Sequence, residues 1–137
     1  MTSWLIDKSA AVRLVHSPDR DDWLGRLGRG VIRVCTPTLL ELGYSARNAN
    51  ELHRDLISPP VSLLLVERMT PAAEDRALEV LGLLADRGQH RAPSIPDLLV
   101  AAIAELANLT VLHVDKDFEL IAGITGQPTE RLRLPEP

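Results

Sequence analysis

The sequence is poor in aromatic residues and contains a single cysteine. Aromatic side chains make up 3% of its 137 residues, so the core is expected to consist mainly of leucine, valine, isoleucine and alanine. Because Cys35 has no second cysteine to pair with, an intrachain disulfide is impossible and a cysteine-based zinc site is excluded. In the segment VIRVCTP, Cys35 is expected to behave as a small buried hydrophobic residue.

The sequence also lacks an excess of basic charge and a long apolar segment. Its formal net charge is −4, so contact with nucleic acid would require a local basic patch or a bound metal. No apolar run approaches the ~20 residues of a membrane-spanning helix, and Asp7 and Lys8 interrupt the first apolar stretch, unlike a signal peptide. With 45% hydrophobic and 25% charged residues, the chain is expected to form one cytoplasmic domain over residues 1–137.

Apolar, strand-like segments alternate with helical patterns along the chain. The strand candidates are residues 3–7, 31–35, 62–67, 110–114 and 129–134. Helical patterns cover residues 9–15, 17–28, 36–48, 51–57, 71–88 and 95–109, and one or two helical turns are expected in 117–123. Because the strand candidates are continuous apolar runs, the pattern predicts a parallel sheet covered by helices on both faces.

Several helix ends are predicted from residues that favour caps. Ser9 is a candidate N-cap of the first helix, and Thr36 is a candidate N-cap of the third. Asn48 is expected to end that third helix, and Thr70, followed by a proline, to begin the long helix after it.

Two of the predicted strands end in carboxylates. Asp7 ends the first strand and Asp115 ends the fourth, with Asp117 two residues further on. In an open parallel sheet, ligands bind outside the carboxyl ends of the strands, where the strand order reverses. If the first and fourth strands are neighbours, Asp7 and Asp115 therefore enter one crevice.

Two more acidic residues could join them. Glu41 lies in the apolar segment TLLELGY, and Asp97 lies in the first turn of the most apolar helix. Each acid also has a structural interpretation: Asp97 could favour a helix N-terminus, Glu41 could be solvated, and Asp115 and Asp117 could serve as turn or capping residues. His113 is interpreted as a strand residue near the surface, and His16, His53 and His90 show no metal-ligand spacing. Arg87 and Arg91, together with His90, are interpreted as a solvated edge.

Taken together, the acids indicate a metal site. Three or four converging carboxylates would repel one another and raise each other's pKa, and a divalent cation would remove that penalty. Ligands that are all oxygen favour Mg²⁺ or Mn²⁺ over zinc or copper. Such a site suits phosphodiester hydrolysis, because the bound cation attracts the phosphate and activates water.

Four segments, in this order, resemble PIN-domain ribonucleases and most closely the VapC toxins of bacterial toxin–antitoxin pairs. The segments are LIDKSA, TLLELGYSARN, IPDLLVAAIAE and LHVDKDFELIA, and the resemblance extends from residue 4 to about residue 134. It implies a three-layer α/β/α sandwich with a five-stranded parallel sheet of order 3-2-1-4-5. Where many relatives have threonine or serine after the first aspartate, this sequence has Lys8, although Ser9 could still bind a metal-coordinated water.

The resemblance also implies an activity, a cofactor and partners. The activity is Mg²⁺-dependent (or Mn²⁺-dependent) endonucleolytic cleavage of RNA, such as tRNA or rRNA. The implied metal ligands are Asp7, Asp97 and Asp115, with Asp117 for a second metal or its waters, and Glu41 orients the attacking water. A VapB-like antitoxin would cover the acidic site, the chain would form a homodimer, and apolar positions in residues 10–15, 23–27 and 39–44 are candidates for the antitoxin groove.

Other classes of protein place an aspartate after the first strand. A haloacid-dehalogenase-type phosphatase requires a second aspartate two residues later, where this sequence has Ser9. A response-regulator receiver requires an aspartate at the end of strand 3, where this sequence reads VERMT. The stronger alternative is a PIN-like module that binds RNA or protein without catalysis.

Overall fold

The computed structural model describes residues Met1–Pro137 and contains one sheet of five parallel strands. The strands are β1 (Trp4–Ile6), β2 (Ile32–Val34), β3 (Leu65–Val66), β4 (Thr110–His113) and β5 (Thr129–Arg131). They are arranged in the order β3-β2-β1-β4-β5, which confirms the predicted order. The strand order reverses between β1 and β4, where Ile6 is paired with Leu112, so the ends of these two strands lie side by side.

Seven α-helices connect the strands. They are α1 (Lys8–Ala11), α2 (Arg20–Gly28), α3 (Thr36–Tyr44), α4 (Ala49–Ile57), α5 (Pro71–Asp86), α6 (Ile95–Leu106) and α7 (Lys116–Thr125). Short 3₁₀ turns at Leu14–His16 and Val61–Leu63 complete the helical structure. None of these helices combines the length with the apolar character that a membrane-spanning segment requires.

Both faces of the sheet carry an apolar core, as the three-layer prediction requires. On one face, α5, α6 and α7 pack against Leu5 and Val111. On the other face, α1 and α2 pack against Ile6 and Leu112. Adjacent residues of β1 and β4 thus point to opposite layers, which is why these strands read as continuous apolar runs.

The second face contains both tryptophans. The rings of Trp4 and Trp23 meet edge to face with their centroids 5.2 Å apart. The guanidinium of Arg26 lies 5.0 Å from the Trp4 ring and 4.4 Å from the Trp23 ring, and the Trp4 indole donates to Glu130 at 3.0 Å. This cluster fastens α2 to β1 and β5 through cation–π contacts and one hydrogen bond.

Side chains cap the starts of both long helices, at Thr70 as predicted and at Ser94, which the sequence analysis did not identify as a cap. Thr70 Oγ1 accepts from the backbone N–H of Ala73 at 3.1 Å at the start of α5. Ser94 Oγ accepts from the N–H of Asp97 at 3.2 Å at the start of α6. Each cap satisfies an N–H group that the first helical turn leaves without a partner.

Other predicted caps were wrong. The first helix is capped by Asp7 rather than by Ser9, and α3 is preceded by Cys35 rather than by Thr36. Asn48 does not end α3; its side chain accepts from the N–H of Glu51 at 2.9 Å and begins α4. Asp7 and Asn48 act as N-caps for the same reason, because each side chain accepts from a free N–H group of the helix that follows.

Several predicted element lengths also differ. Residues 9–15 form the short α1 and a 3₁₀ turn instead of one helix, and the predicted strand 62–67 shrinks to Leu65–Val66 because a 3₁₀ turn uses its beginning. The predicted strand 129–134 ends at Arg131. The expected one or two turns at 117–123 are a ten-residue helix, α7, which Gly126 ends in a left-handed conformation with φ 73°.

Candidate active site

Asp7 lies at the carboxyl end of β1, beside β4. Its backbone N–H donates to the carbonyl of Leu112 at 2.9 Å, which extends the pairing of the two strands by one residue. Its Oδ2 accepts from Ser9 N–H at 3.0 Å and from Ser9 Oγ at 2.7 Å. Its Oδ1 is buried and has no hydrogen-bond partner, although the residue is only 4% exposed. A buried carboxylate oxygen without a donor is costly and points to a ligand.

Ser9 links the two strand ends. While its N–H and hydroxyl donate to Asp7, its Oγ also accepts from the N–H of Val114 at 2.9 Å. Val114 directly follows β4. Ser9 therefore fixes the Asp7 carboxylate relative to the segment that carries Asp115.

Asp97 approaches the same place from the first turn of α6. The residue is 7% exposed, and its pKa is raised to about 7. Burial is the largest cause, followed by the negative charges of Asp7 and Asp115; the hydrogen bonds at Ser94 oppose the rise. This is the behaviour of a carboxylate in a cluster of like charges.

Asp115 and Asp117 follow β4. Asp115 Oδ1 accepts from the N–H of Asp117 at 2.9 Å and caps α7, and the N–H of Asp115 donates to Nδ1 of His113 at 3.1 Å. Burial and the charge of Asp115 raise the pKa of Asp117. The prediction that Asp115 directly ends the strand was wrong, because β4 ends at His113 and Val114 intervenes.

Three of the carboxylates are close enough to share one ion. One oxygen from each of Asp97, Asp115 and Asp117 lies within 4.8 Å of the others. Asp7 is outside this set, but its charge acts on Asp97. The structure therefore does not separate Asp115 from Asp117 as potential ligands; it brings both to Asp97.

Glu41 enters the site from α3 and is half-buried rather than solvated. Its Oε1 is buried without a hydrogen-bond partner. Burial and the charge of Asp7 raise its pKa, and the neighbouring Lys8 ammonium partly opposes this rise. A carboxylate with a raised pKa near a metal site is suited to accept a proton from water.

All five acids line one cleft of about 610 Å³ with few apolar walls. The acids are Asp7, Glu41, Asp97, Asp115 and Asp117. Four separate segments supply them, and no lysine or arginine forms an ion pair with any of them. Oxygen-only donors, mutual repulsion and an unpartnered buried oxygen on Asp7 fit a hard divalent cation.

Sequence reasoning missed two features of this site. Arg91, interpreted as part of a solvated edge, lines the cleft together with Lys8 and Arg13. His113 is fully buried rather than near the surface, and burial together with the charge of Arg131 lowers its pKa. The segment VLHVD gives a signal for His113, because a continuous apolar strand is buried along its length; no pattern marks the loop residue Arg91.

The apolar positions considered for a partner groove divide into two groups. Ala10, Leu14, Trp23 and Leu27 belong to the core and are not available to a partner. The exposed members are Val12, Val15, Leu24, Leu40 and Tyr44. Val12 lines the acidic cleft, and Val12 and Val15 line a groove that continues from it past Glu51 and Asp55. Leu40 and Tyr44 line a second, apolar groove beside Glu41.

The sequence and the fold are both similar to known proteins. Residues 4–124 match the PIN domain family. Ribonuclease VapC2 of Mycobacterium tuberculosis (strain CDC 1551 / Oshkosh) is 60% identical over 129 residues, 94% of this chain and 92% of the relative. Ribonuclease VapC21 of the same strain is 40% identical over 129 residues, 94% of this chain and 93% of the relative.

Solved structures share the fold at low sequence identity. VapBC2 from Rickettsia felis, bound to a DNA fragment from its promoter, aligns with a TM-score of 0.78 and 18% identity, over 95% of this chain and 98% of that chain. DNA-bound VapBC from Salmonella typhimurium aligns with a TM-score of 0.75 and 21% identity, over 96% and 98% of the two chains.

Proposed function

The chain belongs to the PIN-domain family and to its VapC ribonucleases, and from this membership we propose that it is the toxin of a toxin–antitoxin pair, an endoribonuclease that hydrolyses RNA phosphodiester bonds with the help of Mg²⁺. The whole chain acts as one PIN domain. The observation that carries the proposal is the convergence of five carboxylates, without any paired cation, at the ends of β1 and β4.

The acidic residues of the cleft have different roles in binding the cation. Asp7, Asp97 and Asp115 would hold the cation directly or through its waters, and Asp117 would hold further waters or a second cation. The 4.8 Å grouping of Asp97, Asp115 and Asp117 and the free oxygen of Asp7 support these roles. A divalent cation, when bound, neutralises the carboxylates, polarises the phosphodiester and makes water more acidic.

Glu41 orients the attacking water, and Ser9 positions the Asp7 carboxylate. Glu41, whose pKa is raised by burial and by Asp7, accepts a hydrogen bond from the attacking water and orients it toward phosphorus. Ser9 holds Asp7 Oδ2 through two hydrogen bonds and leaves Oδ1 available to another ligand. Water is then added across the P–O bond, and the leaving oxygen takes a proton as the strand breaks.

The partner is a VapB-like antitoxin. The solved structures of similar fold include VapBC complexes from Rickettsia felis and Salmonella typhimurium, which supports a heteromeric assembly. The acidic cleft and the net charge of −4 suit an antitoxin segment that carries a basic residue. The groove past Val12 and Val15 offers an apolar path for such a segment.

The chain also pairs with a second copy. The apolar groove containing Leu40, Tyr44, Met69 and Leu99 borders the acidic cleft, and Tyr44 is 93% exposed, which supports an interface in this region. RNA is the substrate, with tRNA and rRNA as the first candidates, and its cleavage takes place in the cytoplasm.

A divalent-dependent RNase assay of the purified protein tests the function against a non-catalytic binding module. Wild type is expected to cleave RNA in Mg²⁺ or Mn²⁺ and to stop in EDTA, whereas Asp7→Asn is expected to be inactive at the same folded concentration. Circular dichroism of both proteins supplies the control for folding. If wild type and Asp7→Asn cleave alike, or neither cleaves, the catalytic proposal is wrong and the binding-module alternative gains.

A further inference from the structure

Three basic side chains line the acidic cleft, and they differ in their hydrogen-bond partners. Lys8 Nζ donates to Ser45 Oγ, and an Arg13 guanidinium N–H donates to the carbonyl of Ser9 at 2.7 Å. Arg91 forms no side-chain hydrogen bond and no ion pair anywhere in the chain, and it is exposed at the rim. It is therefore the one cation of the cleft that is not already engaged.

An unengaged arginine is unexpected beside so many carboxylates. Five acids share the cleft with Arg91, and a guanidinium matches a carboxylate in a two-point geometry. The same planar fork matches a phosphate equally well. Because none of the acids captures Arg91, the fork remains available to an anion that enters the cleft from outside.

The loop that carries Arg91 is anchored on both sides. On its N-terminal side, Gly88 adopts a left-handed conformation with φ 68°, and the N–H of Gln89 donates to the carbonyl of Leu84 at 2.8 Å. On its C-terminal side, Pro93 is buried and Ser94 caps α6. Arg91 therefore extends from an ordered loop that leads within six residues to Asp97, which places the backbone of Arg91 close to the acids.

We propose that Arg91 binds a phosphate of the RNA strand beside the scissile bond and so positions the strand over the acidic residues. This inference rests on the proposed ribonuclease function. A strand that enters the cleft meets a local excess of negative charge, and a cation held by the acids compensates only the phosphate next to it. The flanking phosphates need a cation of their own, and Arg91 supplies one at the rim.

Binding measurements with a matched control test this role. The probe is a fluorescein-labelled single-stranded RNA oligonucleotide, titrated with protein in the Asp7→Asn background so that it is not cleaved. Arg91→Ala is compared with Arg87→Ala, which removes the same charge from an exposed arginine of the same loop that does not line the cleft. Arg91→Ala is expected to weaken binding about tenfold and to reduce the salt slope by about 0.7, the value for one phosphate of a single strand.

Steady-state cleavage in the otherwise wild-type protein separates binding from chemistry. Arg91→Ala is expected to raise KM about tenfold while kcat changes less than about threefold, because the lost contact is made before and during the reaction alike. Arg91→Lys retains the charge without the fork and is expected to fall between Arg91→Ala and wild type. Arg87→Ala is expected to match wild type in both constants.

The possible results distinguish failure of the Arg91 proposal from failure of the proposed ribonuclease function. Equal RNA affinity of the Arg91→Ala and Arg87→Ala proteins, with wild-type cleavage intact, overturns the role of Arg91 and leaves the proposed function standing. A fall in kcat at unchanged affinity, or a loss of antitoxin binding alone, overturns it as well. Failure of wild type to cleave RNA refutes the proposed function itself. If Arg91→Ala does not fold, Arg91→Lys carries the same comparison.

Discussion

Two clusters of charged side chains in this molecule are built in opposite ways. Between α5 and α6, Arg76 donates to both oxygens of Glu105, at 2.6 and 3.0 Å, and also to Glu79. At the end of β1 and β4, five carboxylates share a cleft and none is paired with a lysine or arginine. The first cluster satisfies its charges with the protein's own groups. The second leaves them to be satisfied by something that binds, which is why we regard the cleft, and not the surface ion pairs, as the functional region.

The pKa directions express the same contrast. The pKa of Arg76 is raised by its hydrogen bonds to Glu105, so its charge is stabilised by folding. The pKa of Asp97 is raised to about 7 by burial and by Asp7 and Asp115, so its charge is destabilised by folding. Removing a charge from the first cluster should therefore lower the free energy of unfolding, and removing one from the second cluster should raise it.

The largest expected effect comes from deleting an acid of the cleft. Asp97→Ala is expected to reduce RNA cleavage by more than about a hundredfold, since residues that merely support metal ligands already cost ten- to a hundredfold. The protein should remain folded, because Ser94, and not the Asp97 side chain, caps α6. Gel-based cleavage and circular dichroism measure the two quantities. Loss of folding together with activity would instead make Asp97 a structural residue.

Divalent cations should stabilise the folded protein by binding in the acidic cleft and not at the ion-pair cluster. Mg²⁺ or Mn²⁺ at about a hundred times its Kd is expected to raise the free energy of unfolding of wild type by about 2.7 kcal/mol. The gain should be larger at pH 8 than at pH 6, because Asp97 must lose its proton, with a pKa of about 7, before it can bind a cation. Thermal melts across pH, with and without the ion, measure this. A gain of equal size in Asp7→Asn would place the ion elsewhere.

Neutralising Asp97 should stabilise the metal-free protein. The folded-state pKa of about 7 exceeds the unfolded value of 3.8, so the folded protein binds the extra proton between these values. Its contribution is favourable at low pH and is lost as pH rises through about 7. Asp97→Asn should therefore match wild type near pH 4 and exceed it at pH 8, by at most about 4 kcal/mol.

Denaturant unfolding in EDTA at both pH values tests this expectation. The Asn variant keeps the size of the side chain, so that charge is the main difference from wild type. A variant that is less stable than wild type at pH 8 would show that the Asp97 charge is satisfied within the folded chain.

The smallest expected effect is in the paired cluster and has the opposite sign. Glu105→Gln leaves the Arg76 guanidinium with a weaker acceptor and should lower the free energy of unfolding by about 1 kcal/mol. RNA cleavage should stay within about twofold of wild type, because Glu105 does not line the cleft. The comparison between the clusters fails if Glu105→Gln stabilises the protein at pH 8 as Asp97→Asn is expected to do.

The sequence predicted the architecture better than the details of the site. Alternating apolar runs and helical patterns indicated the parallel sheet, and the resemblance to PIN-domain ribonucleases supplied the strand order that brings Asp7 and Asp115 together. Local capping rules succeeded at Thr70, where a proline follows directly and leaves little choice of start. They failed at Asn48, because the same side chain can end one helix or begin the next.

Tertiary context explains what could not be predicted. The burial of His113 depends on α7 closing over β4, since its ring lies 5.3 Å from that of Phe118. The half-buried state of Glu41 depends on packing of α3 near α1, and the place of Arg91 depends on a loop whose path is set by Gly88 and Pro93. The environment of Glu41 does not follow from periodicity, because α1 and α3 lie far apart in the chain, and no local pattern gives the direction in which the loop carries Arg91.

The paired tryptophan rings provide the chain with an internal optical probe. Trp4 and Trp23 are its only indoles, both are buried, and both lie on the face of the sheet formed by α1 and α2. Their fluorescence should shift to longer wavelength when that layer opens to water, and it should be little affected by events confined to α5 and α6. Emission and far-ultraviolet ellipticity recorded on the same sample would thus reveal whether the two helical layers separate from the sheet together or one after the other.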